Sequence, residues 1–207
     1  MIVHDFWERL NFSKQIGHLE DLLEYLLTII PGSVKWVKAT EDEDRSGVDY
    51  WIVRDGLRPL AVDVKHREFD PIERWGVDDI CIETTAVYVG PPKPPWLDEY
   101  RKVKGWTIDP QKRTDLIVYT WPLSNGGRRF WVVYFPFLCH VAQKFWRRWA
   151  AEYGEKAVRN RDYLTLCVFP PRYVVERAIR QCLLGTVEPP IPQCVDHWGQ
   201  FFWNWGQ

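Results

Sequence analysis

Two aspartates and a lysine stand where a folding chain would ordinarily place apolar residues. The stretch from Gly47 to Lys65 reads as two strands joined by a tight turn at Asp55-Gly56. Asp49 lies in the first strand, Asp63 and Lys65 in the second. Strand side chains alternate between faces, so Asp63 and Lys65 share one face while Val62 and Val64 take the other. Carboxylates and an amine on a sheet surface cost desolvation energy unless something neutralises them. A divalent cation on oxygen ligands, with the lysine beside it, is the economical solution.

The turn decides whether the two aspartates can meet. A two-residue loop at Asp55-Gly56 pairs Arg54 with Leu57 and Asp49 with Val62, which puts the aspartates on opposite faces. A three-residue loop, Arg54 to Gly56 with Gly56 left-handed, pairs Val53 with Leu57 and Asp49 with Ala61. Asp49 and Asp63 are then diagonal neighbours on one face, with Cβ atoms up to roughly 7–8 Å apart. A shared metal therefore requires the three-residue register or some other bulge.

The flanking elements must position this hairpin. Residues 13–30 read as an amphipathic helix, with Ser13 as N-cap and Pro31-Gly32 as its stop. Ile16, Leu19, Leu23, Leu26, Leu27 and Ile30 form its apolar stripe. Glu20 sits at the stripe's edge, as a solvated acid or one leaning toward a site beneath the helix. Val34 to Ala39 is a short strand, and the acidic run Glu41 to Asp44 a solvated loop. Residues 66–79 read as irregular. Ile80 to Val89 is a strand interrupted by Glu83, which reads either as a further metal or water ligand or as an edge-strand charge. Leu116 to Trp121 is a strongly apolar, central strand. Asn125-Gly126 turns it back, with Arg128 and Arg129 at the hairpin tip and Phe130 to Phe135 returning. Pro136 to Tyr153 is a helix with Val141, Phe145 and Trp149 on one face and Lys144, Arg147 and Arg148 on another. Tyr163 to Phe169 is a strand, followed by a basic helix from Pro170 to Leu184.

The order helix, strand, acid-bearing strand, Asp-x-Lys strand resembles the PD-(D/E)xK nuclease superfamily, the restriction-endonuclease-like fold. Here the motif is Asp49, thirteen residues, then Asp63-Val64-Lys65, within residues 13–65. Glu83-Thr84-Thr85, Gly105-Trp106 and Thr114 to Tyr119 look like later elements of small superfamily members found in phages and mobile elements. The chain departs from the pattern at Val48, where a proline often precedes the first aspartate, and in having no evident helix right after Lys65. The resemblance implies an α/β fold with a mixed central sheet flanked by helices, in a single domain over residues 1–207. It implies that Asp49 and Asp63 ligate Mg²⁺ or Mn²⁺. Lys65 would orient or activate the attacking water and stabilise charge on the phosphate. Glu20 and Glu83 would be accessory, and Arg128, Arg129, Lys144, Arg147 and Arg148 candidate phosphate contacts.

Composition sets the outer bounds. With 46% hydrophobic and 27% charged residues in 207, the chain is suited to one sizeable core. No apolar run approaches the length of a membrane span, and the first residues lack a signal-peptide pattern, so a cytoplasmic protein is expected. Five scattered cysteines argue for reduced thiols. Cys194-Val195-Asp196-His197, with Cys182 upstream, is half of a zinc pattern. Residues 1–100 hold 20 acids and 11 bases, residues 101–207 hold 8 and 16. Either the acidic half houses a metal site beside a basic polyanion track, or the halves mix in one fold. Among thirteen tryptophans, several crowd the tail, residues 185–207. That tail reads as docked on its own domain, or as a homodimer contact or base-stacking surface. The expected activity is metal-dependent hydrolysis of DNA. Two alternatives stay open: a non-catalytic inhibitor or assembly factor keeping the nuclease fold, and a nuclease for RNA or a small nucleotide.

Overall fold

In a computed structural model the described residues are 19–89, 102–160 and 163–184. Ser13, the aromatic tail, Cys194 and His197 lie outside them. Helix α1 (Leu19–Ile29) buries Leu22, Leu23 and Leu26. The chain leaves it through Gly32, whose φ of +74° suits glycine. Strands β1 (Ser33–Lys38), β2 (Tyr50–Arg54), β3 (Leu57–His66), β6 (Leu116–Pro122) and β7 (Arg128–Tyr134) form a sheet in the order β1-β2-β3-β6-β7. The β3–β6 pair is parallel and the others antiparallel, so the sheet is mixed, as expected. β6 is buried from Leu116 through Trp121, which fits a central strand covered on both faces. The Tyr25 ring packs edge-on against Phe130 at 5.3 Å, and Trp36 Nε1 donates to Glu24 at 2.8 Å. These contacts seat α1 over the face that carries Val62 and Val64.

A second, wholly antiparallel sheet has the order β5-β4-β9-β8. Its strands are β4 (Ile82–Tyr88), β5 (Lys102–Lys104), β8 (Glu155–Asn160) and β9 (Tyr163–Val168). β8 has no counterpart among the expected strands. Helix α4 (Phe135–Tyr153) buries Val141 and Trp149 as its pattern requires, and α5 (Arg172–Leu183) ends the described chain.

Two segments expected to be irregular are short helices. α2 (Glu41–Arg45) is the acidic run, held by a capping box in which Thr40 and Glu43 satisfy each other's backbone N–H groups. Those hydrogen bonds from Thr40 hold the Glu43 carboxyl below its usual range. α3 (Pro71–Trp75) follows Lys65 closely. Asp70 caps it, Pro71 starts it and left-handed Gly76 stops it. Capping chemistry overrode the weak apolar pattern in both.

Charges from the two halves of the chain are interleaved. Arg129 pairs with Asp70 and Asp78, both at 2.7 Å, and Arg172 pairs with Asp78 at 2.6 Å. Here the mixing alternative holds.

Candidate active site

The hairpin reaches the required register by a route outside the two simple loops. Arg54 pairs with Leu57, so the turn is the two-residue Asp55-Gly56, with Gly56 at φ +62°. The register then shifts between Ile52 and Arg54, and Ile52 pairs with Leu60. One extra residue is accommodated in β3 at Arg58-Pro59. Proline has no N–H to give to the ladder, so a bulge suits it. The Arg54 guanidinium donates to the Arg58 carbonyl at 2.8 and 3.0 Å. Asp115 accepts two hydrogen bonds from the Arg58 guanidinium and one from Ala61 N–H. Past the bulge Tyr50 pairs with Val62. One step further, Asp49 comes opposite Asp63 on a common face.

The pair is close and poorly solvated. Asp63 is 3% exposed. Asp49 Oδ2 accepts the Val64 N–H at 2.7 Å. Burial, and then the charge of Asp63, push the Asp49 carboxyl up to about 7. Lys65 Nζ lies 2.9 Å from Asp63 Oδ2. That oxygen is buried and receives no well-aligned hydrogen bond, so the contact is an ion pair. Burial opposes the charge on Lys65, but Asp63, Glu83 and Asp49 outweigh it and hold the amine firmly as an ammonium. This differs from a lysine poised as a base.

Trp106 completes the enclosure. Lys65 Nζ stands 4.2 Å from the centre of its ring, a favourable cation–π placement. The ring sits in a 3-10 turn (Trp106–Ile108) entered through Gly105. A Cβ on Gly105 would lie 2.4 Å from the Glu83 backbone. Glycine is thus needed for close approach, not for an unusual φ. Thr107 Oγ1 accepts the Glu83 N–H at 3.0 Å, and Gly105 N–H donates to Thr84 at 3.0 Å. Gly105→Ala is expected to cost about 1–3 kcal/mol by overpacking and to shift Trp106 off Lys65. A thermal melt and Trp fluorescence read both effects.

No family model and no curated protein matches the chain. One solved structure, a nuclease from a fusselovirus, is similar over 90% of this chain and 99% of that one, at 12% identity and a TM-score of 0.32. At that level the case for function rests on the site itself.

The remaining expected residues divide. Glu83 belongs near the site: its charge acts on both Lys65 and Tyr119. It lies on β4, which β9 flanks along its length; β5 pairs only with Thr85 to Val87, so Glu83 has a strand neighbour on one side. The β4–β9 register shifts between Glu83 and Thr85, a second bulge beside the site. Glu20 is exposed in the first turn of α1. Its charge reaches Tyr50, which faces away from Asp49 across the sheet. Arg128 and Arg129 are not at a hairpin tip. They open β7, paired with Pro122 and Trp121, and alternation sends them to opposite faces. Arg128 donates to Thr120 at 3.0 Å. Arg129 is occupied by Asp70 and Asp78 and lies over the Trp121 ring at 4.2 Å, a structural role. Lys144, Arg147 and Arg148 are exposed on α4. α4 meets the site's surroundings through its first residue, Phe135, whose ring is 4.7 Å from Trp106.

Trp106 and Tyr119 fall in segments grouped with the later elements of the resemblance, but neither carries a chemical signal of its own in the sequence. Tyr119, opposite Lys65 in the parallel pair, donates to the Cys81 carbonyl at 3.2 Å, and burial pushes its hydroxyl well above the usual range. His66 faces the other side, as alternation requires. Burial first, then Arg128, push it down to about 4.

Proposed function

We propose that the chain is a metal-dependent nuclease that hydrolyses DNA phosphodiester bonds at Asp49, Asp63 and Lys65. The carrying observation is the buried carboxylate pair, whose charge one ammonium offsets only in part. Lys65 Nζ lies 2.9 Å from Asp63 Oδ2, yet Asp49 is still pushed toward neutrality by burial and by its neighbour. This donor set fits Mg²⁺ or Mn²⁺. Among the described residues no group of three or more His, Cys, Asp or Glu gathers in metal-holding geometry. Mg²⁺ suits that, since it binds through one or two carboxylates and keeps several waters. Asp49 and Asp63 would be the holding residues, with Glu83 the next acid. When bound, the ion supplies an activated water and a clamp on phosphate oxygens.

The chain's own groups then have separate tasks. Lys65, held as an ammonium, sits ready to stabilise charge developing on a phosphate oxygen, an electrostatic role. Glu83 and the Trp106 ring keep that ammonium in place. Its side chain is 34% exposed.

The test is cleavage by the full chain of duplex, single-stranded and branched DNA and of RNA, with Mg²⁺, Mn²⁺ or chelator. DNA cleavage that requires the ion is the expected result. Cleavage confined to RNA moves the substrate assignment. No cleavage of any substrate, or cleavage unaffected by chelator, overturns the reading.

A further inference from the structure

Beyond the carboxylate pair, rings and cations alternate along one strip of surface. The Arg74 guanidinium lies 4.2 Å from the centre of the Phe69 ring and 5.3 Å from that of Trp75. Those two rings meet edge-on at 4.7 Å. Arg67 stands 5.9 Å from Phe69 and 5.5 Å from Phe169, and Lys156 lies 5.5 Å from Phe169. The strip joins α3 to the ends of β3, β8 and β9.

The strip is open at Arg74, Trp75 and Lys156, half-buried at Phe69 and Phe169, and its parts are fixed. Trp75 is 48% exposed, with Ile72 and Val77 nearly as open beside it. A ring serving only the core would be covered. Asp79 accepts from Arg67 at 3.0 Å and from Trp75 Nε1 at 3.3 Å, which sets the ring's orientation before any ligand arrives. The nearby Glu73 carboxylate is turned to Ser124, 2.9 Å from its backbone N–H. Glu68 is exposed.

The strip also leads to the site. Arg67 follows Lys65 by two residues, and its N–H continues the β3–β6 ladder to Thr120 at 3.0 Å. Alternation puts Arg67 on the face of Lys65. Tyr119 feels the charges of Glu83, Asp63 and Arg67 together.

We propose that this strip binds an unpaired nucleic-acid strand, stacking bases on Trp75 and Phe69 and meeting phosphates with Arg74 and Lys156. It rests on the nuclease reading above for where the strand leads. The chemistry favours unpaired nucleotides over duplex. Base faces in a duplex are occupied by neighbouring bases, whereas an unpaired base offers its face to an aromatic ring. Phosphate attraction alone would need no rings.

The test uses the full chain in chelator, so that binding is read without cleavage. Labelled oligothymidine and a duplex hairpin are titrated against wild type, Trp75→Ala, Trp75→Phe and Arg74→Ala. Losing a stacking face is expected to weaken oligothymidine binding by roughly 5- to 150-fold. Trp75→Phe is expected to recover most of it, and duplex binding should change little. Arg74→Ala, on an exposed side chain, supplies a variant that keeps the fold. Wild-type affinity of the two alanine variants for oligothymidine, equal losses on duplex and single strand, or no binding by wild type each overturn the strip. Active cleavage with an indifferent strip leaves the catalytic reading standing. Lost single-strand affinity in a chain that never cleaves does the reverse.

Discussion

Asp63→Ala is expected to abolish metal-dependent cleavage, and Lys65→Ala to lower it by about 10²–10³-fold or more, as for loss of one preorganised electrostatic group. The two losses should differ in kind. Removing Asp63 deletes a ligand and leaves the Lys65 ammonium with Glu83 and Asp49, so Mn²⁺ binding by calorimetry should disappear with activity. Removing Lys65 deletes a cation that opposes metal entry. Lys65→Ala should therefore bind Mn²⁺ at least as tightly as wild type while cleaving poorly. Such a split would identify Lys65 as acting on the phosphate. Wild-type cleavage by Asp63→Ala would end the assignment. Loss of metal binding in Lys65→Ala would mean that the lysine merely props up the carboxylates. Circular dichroism of both variants separates these results from unfolding.

Some of this was readable in the residue order because it depends on local periodicity. The α1 stripe, the central β6 and the Asp63–Lys65 alternation follow from spacings of 3.6 and 2.0 residues. The need for a three-residue register or a bulge was readable only as a condition on a shared metal, since the aspartates could not otherwise meet across a two-residue turn. Its location was not. Pro59 hinted at it, but the bulge is held by Asp115, more than fifty residues away, through Arg58 and Ala61. A long-range clamp leaves no periodic signal. The same holds for Trp106, which is placed by the absence of a Cβ at Gly105 against the Glu83 backbone. Arg129, expected as a phosphate contact at a hairpin tip, is instead paired for a related reason: its partners, Asp70 and Asp78, come from the cap of α3 and the loop after it.

The register also explains why the site is costly to build. A bulge brings two carboxylates face to face, the second sheet then covers them, and one ammonium offsets part of the charge. The first two steps raise the free energy of the empty site and the ammonium lowers it only in part, which favours a dication over water. The acids that repel each other are the same ones that hold Lys65 charged. The strain and the catalytic charge have one source.

That cost should be visible in the pH dependence of stability. The Asp49 carboxyl, ordinarily near 3.8, is raised to about 7 in the fold. Between those two values the folded state binds more protons than the unfolded chain, so stability falls as pH rises. The loss begins near pH 4, is complete above about pH 7, and amounts to about 4 kcal/mol if the whole shift is expressed. Asp49→Asn keeps an oxygen to accept the Val64 N–H but removes the titration. Its melting temperature should be flatter across this window and higher than that of wild type at neutral pH, both measured in chelator. Adding Mn²⁺ should stabilise wild type increasingly as pH climbs toward 7, because metal and proton compete for the same carboxylate. It should stabilise Asp49→Asn much less. Parallel melting curves for the two proteins without metal would show that Asp49 ionises freely, and the carboxylate pair would lose its claim to be a strained metal site.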